Sequence, residues 1–291
     1  IFASYFSIPL ATISVFKKIV SWNSFFGHWD TNLNIYSPHN INRQKNFEQI
    51  LAPFKKEDIA AGVQKHCEDL IVLYIKFWLK KLNKTLPINI CLAGGLFANV
   101  KINQKIAEIE GIKNIFVFPN MGDGGLTVGG ACYKNFVDNH STKIDFSNVY
   151  LGKSYENNEI YNLLNKNKDK INFTKMEDRP VEISKELEKN LVVGYFDGRM
   201  EFGPRALGSR SILVNAKNKS INDYLNKRLE RTEFMPFAPV TPIDYASECY
   251  LNWREDQVAS YFMTRTYDCY ENFSKEHQAV VHIDGTARPQ I

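Results

Sequence analysis

INICLAGGLFANVKINQKIAEI, residues 88–109, decides how the rest of the chain is read. Residues 88–92 are a short apolar run, the pattern of a buried strand. Gly94 and Gly95 then make a tight turn, and a helix carrying Asn99 and Asn103 is expected from Leu96 onward. Together these form an anion-accepting arrangement, because a helix start offers unpaired N–H groups. Twin glycines also serve close packing, so the unit alone is a weak signal. NIFVFPNMGDGGLTVGGACYKNF, residues 114–136, repeats the theme. A strand over 115–118 is followed by a loop over 119–125 and a helix over 126–136, with Gly129 and Gly130 at a close contact. Asp123 stands at the loop tip among glycines, where its carboxylate suits a metal or a ribose hydroxyl, or caps the next helix. Two successive strand–loop–helix units with glycine-rich loops predict an α/β domain with a nucleotide cleft.

Working outward, residues 56–82 read as the clearest helix. Ile59, Val63, Cys67, Leu70, Ile71, Tyr74 and Phe77 recur at three- and four-residue steps, with acids at the start and lysines at the end. His66 on it reads as packing or surface. Residues 1–56 mix strands and turns around a helix of unclear position, with His28 and His39 on loops without ligand spacing. A polar tract ends near 143, where a domain boundary is expected. A strand pair over 145–154, helices over 155–172 and 181–190, and strands over 191–196 and 211–214 follow. The last two flank GRMEFGPRALGSRS, residues 198–211, in which three glycines and Pro204 fall among Arg199, Arg205 and Arg210. Such a loop between buried strands suits a phosphate or carboxylate: glycine lets backbone N–H groups approach, and arginine meets the oxygens bidentately. Beyond it, Ser220 caps a helix, 235–242 is extended, 258–266 is a strand, and the chain ends in a strand turning through Gly285.

The 291 residues are 44% hydrophobic with a net charge of +4, enough for two cores and too mild to argue for nucleic acid. Five scattered cysteines without a CxxC pair read as reduced, mostly buried thiols of a cytoplasmic protein. No apolar run of membrane-spanning length occurs. The chain opens without Met and stops without a polar tail, and is expected to be a fragment.

LAGGLFANVKIN, MGDGGLTVGGACY, GRMEFGPRALGSRS, RLERTEFMPFAPVTP and VVHIDGTARPQ, in this order, resemble the carbamoyltransferases of the nodulation and antibiotic-tailoring family. The resemblance covers roughly residues 50–291. It implies an α/β protein in which residues 1–143 are the C-terminal part of an actin-like (ASKHA) domain and residues 144–291 a YrdC-like domain, truncated at its end. It implies that carbamoyl phosphate and ATP become carbamoyl-adenylate, whose carbamoyl group passes to a hydroxyl of a small molecule such as a sugar or antibiotic. By the same resemblance, Gly94, Gly95 and Asn99 contact the adenylate and Asp123 holds a divalent metal, iron or magnesium. Arg205 and Arg210, with Gly203, belong to the carbamoyl phosphate and ATP site, which His282 and Arg288 join. Arg231 is kept from a Lys-x-Arg pattern, with Lys227 or Arg228 in place of the lysine. The HxxxH pattern that completes the family's metal site has no counterpart here. A sugar-kinase-like phosphotransferase of the actin-like superfamily would explain the first half only. An RNA-binding YrdC-like module would need aromatic residues between basic ones, whereas here glycines lie beside them. The expected partners are therefore a small hydroxyl acceptor, neither membrane nor nucleic acid, with a homodimer allowed.

Overall fold

The computed structural model describes residues 10–23, 28–32, 41–82, 86–141, 148–230 and 237–291. The first part holds α1 (Leu10–Ile19), β1 (Val20–Asn23), β2 (His28–Thr31), α2 (Ile41–Leu51) and α3 (Lys56–Lys81). His28 thus lies on a strand, not a loop, and His39 falls outside the described residues. Acids in its first turn and Lys80 and Lys81 in its last complement the dipole of α3. Its Ile71 and Ile75 reach the core, and His66 is buried with Nε2 2.7 Å from the Val20 carbonyl.

The centre of this part is a βαβ unit. β3 (Ile88–Leu92) and β4 (Ile112–Val117) pair in parallel, and α4 (Val100–Ala107) makes the crossover that a parallel pair requires. The helix does not begin at Leu96. A 3-10 turn at Gly95–Ala98 comes first, and Asn99 caps α4 by accepting from the Ile102 amide at 3.2 Å. Ile71, Ile75, Leu92, Ile102, Ile106, Ile115 and Val117 form one buried cluster with Ala259 from the far end of the chain. α5 (Leu126–Asn139) buries no residue. Space is open around Gly129 and Gly130, so the expected close contact is absent among the described residues.

The second part holds α6 (Asn157–Lys166), α7 (Arg179–Glu188), the antiparallel pair β5 (Val193–Phe196) and β6 (Arg210–Leu213), α8 (Ser220–Arg228) and α9 (Ile243–Cys249). β7 (Tyr267–Asp268), α10 (Glu271–Glu276) and β8 (Thr286–Ala287) complete it. Several expectations need correction. β5 and β6 are half open to solvent, with Phe196 72% exposed, because a lone pair of strands leaves one face uncovered. In place of a strand over 258–266 there is a 3-10 turn at Val258–Ser260 whose following residues lie along α4. Ser220 is the first helical residue of α8 and not its cap, its hydroxyl bonding Asn218. Of the strand pair over 145–154, the described residues keep one bridge, Tyr150 to Glu201. The cysteines are free as expected, but Cys91 is exposed and the others half-buried.

Among the described residues the strands pair two by two, giving helices and small sheets consistent with an α/β fold. No described helix is long and apolar enough to cross a membrane.

Candidate active site

The two glycine-rich loops of the first part meet the arginine loop of the second. Gly94 adopts φ +115°, a conformation that side chains resist, and its amide donates to the Met121 carbonyl at 2.7 Å. Gly203, at φ +123°, lets the arginine loop lie against the Pro119 carbonyl: a Cβ there would come within 3.2 Å of that oxygen. Phe118 and Phe202 meet edge to face at 6.4 Å beside it.

Contrary to the sequence reading, backbone N–H groups of the arginine loop already hold an anion from the chain itself. The carboxylate of Glu201, 6% exposed, accepts from the amides of Leu207 (2.8 Å), Ser209 (2.5 Å) and Arg210 (3.1 Å). Burial pushes its pKa up, but these donors outweigh burial and hold it below the ordinary glutamate value. The Leu207 carbonyl accepts from Tyr150 Oη at 2.7 Å and Gln290 Nε2 at 2.8 Å, fixing the loop from both sides.

The arginines divide accordingly. Arg210 donates to the carbonyls of Asp197, Ser209 and Gly198 and stacks 3.5 Å over Phe196, so its guanidinium serves its own loop. Arg205 leaves the loop. Its Nη2 donates to the Ala98 carbonyl at 3.1 Å, in the turn between Gly94 and Asn99, and its Nη1 lies 3.8 Å from Met121 Sδ. Its buried Nε has no hydrogen-bond partner. Burial first, and then the like charge of Arg288, pull its pKa down to about 10. Two guanidinium groups that repel each other at a partly buried junction fit a multiply charged anion.

Arg288 and His282 line a cavity of about 40 Å³ with Lys101, Thr286 and Asp284. His282 Nδ1 lies 3.0 Å from Asp284 Oδ1, which also accepts from Thr286 Oγ1 (2.6 Å) and the Thr286 amide (3.1 Å). Asp284 Oδ2 pairs with Lys101 Nζ at 3.1 Å, both side chains 10% exposed or less. Burial opposes ionisation of Asp284, but the hydrogen bonds from His282 and Thr286 and the Lys101 charge hold its carboxyl well below the usual range.

The structure therefore brings together Arg205, Arg288 and the turn of Gly94, Gly95 and Asn99, with His282 beside Arg288. Asn99 exchanges amide hydrogen bonds with Gln64 on α3 as well as capping α4. Lys227 and Arg228 lie on exposed α8 positions, Arg228 bonding Tyr224 Oη, and neither lines the cavity. Arg231 falls outside the described residues. Asp123 is exposed in a 3-10 turn, and the cap of α5 makes no side-chain hydrogen bond. Among the described residues no three His, Cys, Asp or Glu side chains gather as a metal set, so those present do not fit a metal centre. Lys101, Asp284 and Glu201 were missed by sequence reasoning, although all three lie inside the quoted motifs.

Two family models match the chain: the carbamoyltransferase N-terminus over residues 17–132 and the carbamoyltransferase C-terminus over residues 184–291. Uncharacterized protein MJ1051 of Methanocaldococcus jannaschii is 40% identical over 69% of this chain and 38% of its own length. MJ1058 of the same organism is 30% identical over 96% of this chain and 45% of its own. Nodulation protein U of Azorhizobium caulinodans is 28% identical over 86% and 43%. The chain thus spans less than half the length of each of these relatives. With both terminal models matched in order, on the two parts whose loops meet at the arginine junction, the chain belongs to the carbamoyltransferase family.

Proposed function

We propose that this chain takes part in ATP-dependent transfer of a carbamoyl group from carbamoyl phosphate, through carbamoyl-adenylate, to a hydroxyl of a small-molecule acceptor. One observation carries the reading: the buried Arg205 side chain reaches the Ala98 carbonyl in the residue 94–99 turn at 3.1 Å, with the like charge of Arg288 near it. An anion of two or more charges relieves that repulsion, and carbamoyl phosphate and ATP both supply one. As phosphate and pyrophosphate leave, arginines fixed beforehand offset the charge without reorganising. The turn at Gly94 and Gly95 would face the adenylate. Residues 1–143 would be part of an actin-like domain and residues 144–291 part of a YrdC-like one. A metal of the iron or magnesium kind would need ligands besides Asp123, from outside the described residues.

The test uses the full-length protein with ATP, carbamoyl phosphate and labelled pyrophosphate. Carbamoyl-phosphate-dependent exchange of label into ATP is expected. Arg205→Ala should reduce it by about 10²–10³, the loss typical of one preorganised charge-stabilising donor. Absence of exchange in folded full-length protein overturns the reading.

A further inference from the structure

Gln64 and Glu68 lie one turn apart on the same face of α3, where residues four apart meet. Glu68, 3% exposed, accepts from Gln64 Nε2 at 2.7 Å. Gln64 then reaches across to the start of α4. Asn99 Nδ2 donates to Gln64 Oε1 at 2.6 Å, and Gln64 Nε2 donates to Asn99 Oδ1 at 3.3 Å. Asn99 Oδ1 also accepts from the Ile102 amide. Both ends of this series have fixed polarity, because an ionised carboxylate can only accept and a backbone N–H can only donate. Neither side-chain amide can turn over without setting oxygen against oxygen or N–H against N–H.

What Asn99 holds is the 94–99 turn. Its own amide donates to the Leu96 carbonyl at 3.1 Å, and the Phe97 amide donates to the Gly94 carbonyl at 3.0 Å. Gly94 and Gly95 are exposed, with open space where a Cβ would stand, so the backbone between the anchors is free to meet a ligand. We propose that Gln64 is a positioning residue that acts through Asn99 to hold this turn in the shape that takes a nucleotide. The ligand rests on the carbamoyl-adenylate reading, whereas the clamp rests on the hydrogen bonds themselves. Without the Gln64 amide, Asn99 can still cap α4 but is no longer tied to α3. The turn then has to be ordered by the ligand, and that cost falls on whatever binds the turn. Carbamoyl phosphate, held by side chains outside the turn, should feel it little.

Two variants of the full-length protein break the link from either side. Gln64→Met keeps the length of a half-buried side chain and removes its hydrogen bonds. Asn99→Ser keeps a good helix cap and falls short of Gln64. In pyrophosphate exchange, each should raise the KM for ATP about tenfold, the scale of one lost hydrogen bond, and leave that for carbamoyl phosphate within about threefold. The double variant should be no worse than either single one, because both remove the same contact. An unchanged KM for ATP, an equal rise for both substrates, or factors that multiply in the double variant overturns the proposal. Hydrogen exchange gives a readout that needs no turnover. In Gln64→Met the Phe97 and Asn99 amides should exchange at least about tenfold faster while those of α3 keep their wild-type rates. Turn amides that keep their wild-type rates also overturn the proposal. Faster turn exchange in Gln64→Met, with no pyrophosphate exchange in the wild type, would instead overturn the carbamoyl-adenylate reading and leave the positioning of the turn standing.

Discussion

Arg205 and Glu201 sit four residues apart and do opposite things with charge. Arg205 carries a buried, unpartnered Nε and a repelling neighbour, so anion binding should stabilise the fold. Inorganic phosphate at a hundred times its dissociation constant should add about 2.7 kcal/mol to wild-type stability, read as a rise in melting temperature. Arg205→Ala should abolish that rise and change the ligand-free stability by only about 1 kcal/mol, the net worth of its bond to Ala98. Glu201→Gln should cost about 1.5–3 kcal/mol, because one ionised oxygen serves three amides. Its folded pKa is lowered, so its contribution is fully present above the unfolded glutamate value near ~4.3. That contribution fades as pH falls through the lower folded value. Wild type and Glu201→Gln should therefore differ in urea denaturation at pH 7 and converge in strong acid. The glutamate's role was hidden in the sequence. GRMEFGPRALGSRS displays its arginines and glycines, but nothing in their spacing says that Glu201 folds back to occupy the amides an external anion was expected to use.

At the scale of elements, what was legible was the periodicity. α3 follows from its three- and four-residue apolar steps, and the β3–α4–β4 unit from two apolar runs around a glycine pair. The short elements were not legible, because a two-residue strand such as β8 or a 3-10 turn such as Val258–Ser260 is decided by what it lies against. Asn99 shows the same limit on a smaller scale: it was placed inside a helix, whereas its backbone amide closes the preceding turn and its side chain starts α4. Asn99→Ala should cost about 1 kcal/mol in chemical denaturation, the typical value of a lost N-cap. α4 and α5 should also part company in hydrogen exchange. α4 buries Val100, Ile102 and Ile106, whereas α5 buries none of its residues and leaves Leu126 and Tyr133 more than 70% exposed. Amides of α5 should exchange well before those of α4 under native conditions.

For the molecule as a whole, α4 is what joins the part that reads like a nucleotide cleft to the part that carries the arginines. Asn103, fully buried on α4, donates to the Phe97 carbonyl at 2.8 Å and to the Thr264 carbonyl at 2.7 Å. Thr266 Oγ1 reaches Gln104 at 2.8 Å, and Arg254 reaches the Lys113 carbonyl and Asn114 on β4. The cores interlock as well: Ala259 lies in the cluster of the first part, and Phe116 packs on that of Val149, Leu207 and Phe262. None of this was legible in the sequence, where Asn103 and Thr264 stand 161 residues apart and nothing gave either one a role toward the other. Two bodies tied this way should unfold together. Asn103→Ala leaves two carbonyls without a donor, at a cost of about 1–3 kcal/mol for each group left buried and unpaired. If the coupling holds, hydrogen exchange followed by mass spectrometry should show β3 and β4 losing protection in step with β7 and β8 in the variant. Loss confined to either side would mean that α4 belongs to one body only. The arginine junction would then have to assemble on ligand binding instead of standing ready for it.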